Sequence, residues 1–165
     1  MSIYEKMVSK IVFWGLIVGT LALVGVMVII DANILWRAFG SIIAGTYDLV
    51  EITIVIAVAF GLTYTEFYQA HTRVDLFTSK MPKKKRLWFE YFSNFLSGVY
   101  WSIIVYATAK ITVEKAALGE KTDLLKISII PFRVVWLIGL ILVVLVVVLN
   151  TLKAKKTILG GRDES

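Results

Sequence analysis

Four long apolar runs divide the chain, and charged residues gather between and beyond them. Residues 11–30 carry no charged side chain. As a helix rising 1.5 Å per residue they reach about 30 Å, the thickness of a bilayer's hydrocarbon core. The other runs occupy residues 46–67, 88–118 and 131–152. Backbone inside lipid must satisfy its own hydrogen bonds, so runs of this length predict helices. The expected fold class is an all-α integral membrane protein, a single membrane domain over residues 1–165 with four transmembrane helices and short interfacial amphipathic ones.

The connecting segments refine this picture. Ser2-Ile3-Tyr4-Glu5 has the spacing of a capping box, and Ile3, Met7 and Ile11 follow at helical intervals, so a juxtamembrane helix leads straight into the first span. That span is too long for the core of a signal peptide and lacks a small-residue cleavage site after it, so it reads as a retained anchor. Gly15 and Gly19 within it allow close helix approach, or simply face lipid. In residues 31–45, Leu35, Phe39 and Ile42 fall on one helical side while Asp31, Asn33 and Arg37 supply polarity. An amphipathic helix lying in the interface fits, with Trp36 at headgroup depth; a plain loop is the alternative.

A helix over 88–118 would be about 46 Å long, so it must tilt or protrude before Gly119 ends it. Ser93, Ser97, Gly98 and Ser102 give it a small-residue side suited to packing, and Asn94 reads as packing glue. Pro131 suits the first turn of the fourth helix. That helix is dominated by Val, Leu and Ile, with few small or polar residues, which predicts that it is the most lipid-exposed of the four.

Composition agrees with the membrane class: the chain is 58% hydrophobic, with a mean hydropathy of +0.80. Its net charge of +6 lies at the ends of spans, where it sets orientation rather than marking a nucleic-acid partner. The basic loop 68–87 and the tail 153–165 hold most of the Lys and Arg, whereas residues 31–51 hold only Arg37. The positive-inside rule then places both termini and the second loop in the cytoplasm, with the first and third loops outside.

Candidate chemistry is sparse. The absence of cysteine removes thiol nucleophiles, disulfides and thiolate metal sites, and the single histidine, His71, cannot hold a haem between two imidazoles. Nothing suggests an enzyme, a cofactor or a metal centre. Asp48 and Glu51 share a face at the start of the second span. They read either as a proton or cation site, or as interfacial acids that favour a helix N-terminus and pair with Arg37. His71, Arg73 and Asp75 offer one imidazole and a carboxylate, thin for a metal site; a boundary where Arg73 meets lipid phosphate or Asp75 is the plainer reading. Lys83, Lys84, Lys85 and Arg86 form an anchor for anionic lipids and topology. No span is broken at midplane and no inverted repeat is visible, so a self-contained transporter is not indicated.

Taken together, several segments resemble one family. Leu35-Trp36-Arg37-Ala38-Phe39 after the first span, Asp48 and Glu51 at the second, Ala70-His71-Thr72-Arg73-Val74-Asp75-Leu76 followed by Pro82, and Gly119-Glu120-Lys121-Thr122 before Pro131 are similar to the Q-type small membrane subunit of tripartite ATP-independent periplasmic (TRAP) transporters. Ala70 stands where that family often has Gly, and the basic run after Pro82 is denser than its pattern requires. The resemblance implies a bacterial inner-membrane scaffold for a large membrane subunit, which itself carries the substrate and sodium sites. It also implies a periplasmic binding protein that delivers an organic acid of C4-dicarboxylate or sialic acid type. On this reading Arg37, Asp48, Glu51, His71, Arg73 and Asp75 hold the subunit together or to its partner, and Glu114, Glu120 and Asp123 at the outer end of the third helix could meet the binding protein. The competing expectation is a small homodimeric proton-coupled exporter with Glu51 as the titrating group.

Overall fold

The computed structural model describes residues 3–68 and 82–160, with side chains over 7–68, at 82 and over 85–155. Four helices account for nearly all of it: α1 (Ile3–Ala38), α2 (Thr46–Phe67), α3 (Lys83–Ala117) and α4 (Ile130–Gly160). All four are long and apolar enough to cross a membrane. No strand occurs among the described residues; one isolated antiparallel bridge joins Lys121 and Ser128 in the α3–α4 loop.

Residues 31–38 do not form a separate interfacial helix. They are the last two turns of α1, because nothing between Gly25 and Gly40 breaks the helix, and Asp31 and Arg37 are tolerated where they are exposed. α1 stops where Gly40 takes a left-handed φ of 80° and the N–H groups of Gly40 and Ser41 turn back to the carbonyls of Arg37 and Trp36. Residues 39–45 then reverse the chain, with the Ile43 N–H donating to Asn33 Oδ1 at 3.3 Å. Gly45, at φ 81°, opens α2.

The helices pack as an open layer in the order α1–α2–α4–α3. α2 and α4 are parallel neighbours: Asp48 meets the segment before α4, Ala59 meets Gly139, and the Glu66 carbonyl accepts from Asn150 Nδ2 at 3.3 Å. α1 runs antiparallel to α2, with Gly15 and Gly19 both buried against Phe60, so this glycine pair serves packing and does not face lipid. At the end where α1 begins, Val8 and Val12 also touch Val146, with Tyr64, Phe67 and Leu149 around them.

The expected exposure of the fourth span is reversed. Leu140, Val143, Val146 and Val147 of α4 are the largest fully buried apolar side chains among the described residues, at 0–1% exposure. In their most apolar stretches, 28% of α4 is buried against 6% of α3. Hydropathy cannot foresee this, because a side chain facing lipid and one facing another helix are equally apolar. What brings α4 inward is Gly139, which lets its backbone lie on Ala59 of α2. α3 instead leaves Phe92, Phe95, Leu96, Tyr100, Ile103 and Tyr106 exposed.

Candidate functional site

At one end of the layer a single carboxylate organises the loop between α3 and α4. Asp48, in the first turn of α2, is 2% exposed. Its Oδ2 accepts the N–H of Leu124 at 3.0 Å and of Leu125 at 2.7 Å. These partners lie 76 and 77 residues further along the chain. The loop is already bent to present them. Thr122 N–H donates to the Ile127 carbonyl at 2.8 Å, and Ile127 N–H returns to Thr122 Oγ1 at 3.1 Å, closing a narrow turn in which Lys126 takes a φ of 55°. The Leu125 side chain then covers Gly45, where any Cβ would come within 2.5 Å of it.

The expected pairing of Asp48 with Arg37 is therefore replaced by backbone N–H donors. Arg37 is exposed near the end of α1 and makes no ion pair among the described residues. Glu51, although three residues from Asp48, is also exposed, so the two acids do not form one site. Helical spacing placed them on one face, but it could not show that α4 and its loop cover only the position of Asp48.

Glu120 occupies the centre of a second contact. It bridges Lys115 at 2.9 Å and Arg133 at 3.0 Å, tying the end of α3 to the start of α4. The Lys115 hydrogen bond, with Arg133 adding to it, holds the Glu120 carboxyl below the ordinary glutamate value of 4.5. A group whose folded value is lowered stabilises the fold above its unfolded value and loses that contribution as pH falls through the folded one. The melting temperature of the wild type should therefore exceed that of Glu120→Gln at neutral pH. The gap should close as pH drops below the usual glutamate range; a gap independent of pH would exclude this role.

Of the other acids near this loop, Glu114 and Asp123 are exposed. Lys85 and Arg86 are exposed in the first turn of α3, with Arg86 Nε 3.2 Å from Glu90. The side chains of Lys83 and Lys84, and all of His71, Arg73 and Asp75, lie outside the described residues. No group of His, Cys, Asp and Glu among the described residues is arranged to hold a metal ion. Two interhelical polar contacts were not legible in the sequence: Thr63 donates to Gly139 O at 3.2 Å, and Asn150 reaches Glu66 O across the layer.

The geometry of the described residues thus offers membrane helices, a fastened loop and open apolar faces, and gathers no catalytic set among them. A family model described as "Tripartite ATP-independent periplasmic transporters, DctQ component" matches residues 26–156, from inside α1 to inside α4 and through all three loops. The chain belongs to the DctQ family. It is a TRAP transporter small membrane subunit, a multi-pass membrane protein and a component of a transporter rather than a member of an enzyme family. Neither a curated protein nor a solved structure matches it. DctQ membership implies association with other TRAP components, and the loop fastened by Asp48 and Glu120 lies within the matched region.

Proposed function

We propose that this DctQ subunit is a scaffold for the large membrane subunit of a TRAP transporter in a bacterial inner membrane, with both termini cytoplasmic. The transporter would take up an organic acid of C4-dicarboxylate or sialic acid type, delivered by a periplasmic binding protein and coupled to sodium bound in the large subunit. The observation that carries the reading is the open layer itself. α1 and α3 stand at its two edges with long apolar sides uncovered, and the carboxylate of Asp48 is taken up by loop backbone, leaving it unsuited to carry a proton or cation.

In this arrangement Arg37 and Glu51, both exposed, are contacts to the large subunit, as are His71, Arg73 and Asp75 by their family resemblance. Glu114 and Asp123 face the binding protein, while Glu120 shapes the loop between them. Affinity purification of the chain in gentle detergent should recover a much larger multi-span protein in fixed ratio. Glu51→Gln should weaken that recovery, and Glu114→Lys with Asp123→Lys should slow uptake without affecting it. A homodimer that exports by itself and fails with Glu51→Gln would overturn the proposal in favour of an exporter.

A further inference from the structure

A groove of about 520 Å³ lies between α3 and α4, lined by Asn94, Gly98, Ser102 and Tyr106 on one side and Val147 and Thr151 on the other. We propose that it binds an acyl tail of an anionic phospholipid, whose headgroup sits at Lys85, Arg86 and Lys155. The volume is in the range of small-molecule sites, about 300–1,000 Å³.

Four observations select a lipid tail. The first is chemical. Ser102 Oγ donates to its own helix at Gly98 O, at 2.7 Å, and Thr151 Oγ1 to Val147 O, at 2.8 Å, so both hydroxyls are satisfied and the groove presents hydrocarbon. The second is length. From Asn94 to Tyr106 the groove extends about 18 Å, close to the ~15 Å depth of one leaflet's hydrocarbon. A membrane-spanning partner helix would need a seat along the whole of α3, but this one ends at Tyr106 while α3 continues to Ala117.

The third observation is charge. Beyond Asn94 and Leu152 the charged side chains described on α3 and on the groove side of α4 are Lys85, Arg86 and Lys155, with Glu90, which Arg86 meets at 3.2 Å; Lys153 follows Leu149 by four residues and belongs to the side of α4 that faces α1 and α2. Lys155 follows Thr151 by four residues and so continues the same side of α4. The fourth is Asn94, half-buried at the basic end, whose amide makes no hydrogen bond among the described residues. It is placed to donate to a phosphate or ester oxygen. Long basic side chains reach the headgroup layer readily from this depth.

The inference requires only that the helices cross a bilayer. Failure to capture a large subunit would leave it standing. The test is phosphatidylglycerol carrying a photoactivatable group in its tail, supplied to the full chain in phosphatidylcholine vesicles. Crosslinks should concentrate on Val99, Ile103 and Val148, rather than on Phe13, Leu21 and Met27 of α1, which are comparably exposed. Lys85→Gln with Lys155→Gln should reduce that labelling roughly tenfold or more, at about fivefold per basic residue lost. Ser102→Phe, which fills the groove from an exposed position, should remove it. Equal labelling of α1 and the groove, or labelling indifferent to the lysines, would overturn the proposal. So would loss of labelling on reconstitution with the large subunit, which would assign the groove to a partner helix.

Discussion

Substitution of Asp48 by Ala is expected to release the α3–α4 loop and to lower the stability of the folded subunit by about 2–4 kcal/mol. Oδ2 accepts two backbone N–H bonds, at 3.0 and 2.7 Å, and a hydrogen bond to a charged group contributes about 1.5–3 kcal/mol net. The full sum is not expected, because Leu124 is 64% exposed and its freed N–H can turn to water. Asp48→Asn keeps one acceptor oxygen and should cost less than half as much. Glu51→Ala, at an exposed position, should stay within about 0.5 kcal/mol. Amide hydrogen exchange at Leu124 and Leu125, with the melting temperature in detergent, gives the ranking directly. Equal effects at positions 48 and 51 would show that burial and the backbone bonds do not distinguish the two acids.

The second large effect is expected at Gly139. A Cβ there would lie 2.7 Å from Ala59 Cβ and 2.9 Å from Ala59 O, the latter fixed backbone, so Gly139→Val must move α4 away from α2. Overpacking of this kind costs about 1–3 kcal/mol or more. The displacement would also stretch the Thr63 hydroxyl bond to Gly139 O and loosen Leu140 and Val143, which are buried in the same layer. A total of about 3 kcal/mol or more follows, with loss of assembly where stability is marginal. Gly61→Ala is the matched control: nothing lies within 4 Å of its would-be Cβ, and it should be neutral or gain about 0.5–1 kcal/mol in helix stability. If both variants melt alike, the close approach of α2 and α4 does not hold the layer together.

The contrast between these two sites shows what was readable from the chain. Asp48 could be singled out from sequence, since a carboxylate at the head of an apolar span is costly and must find a donor. Its donors could not, because they are main-chain groups in a turn more than seventy residues away, and any residue type can supply an N–H. Arg37 was the nearer formal partner and proved to lie elsewhere. Gly139 carried no signal of its own: a glycine in a Val- and Leu-rich span is unremarkable until a neighbouring backbone is brought against it.

The chain alone sufficed for the four membrane helices and the Gly119 stop. Each depends on local hydropathy or local backbone geometry, and lipid demands helices wherever an apolar run is long enough. It did not determine that α1 runs unbroken to Ala38, because a helix may leave the membrane without a breaker. Nor did it determine the order α1–α2–α4–α3, the burial of α4 over α3, or the fastening of the third loop by Asp48. Those were decided by tertiary structure, for one physical reason. In a membrane, side chains facing lipid and side chains facing protein are equally apolar, so the arrangement follows from how closely backbones can approach and where buried polar groups find partners.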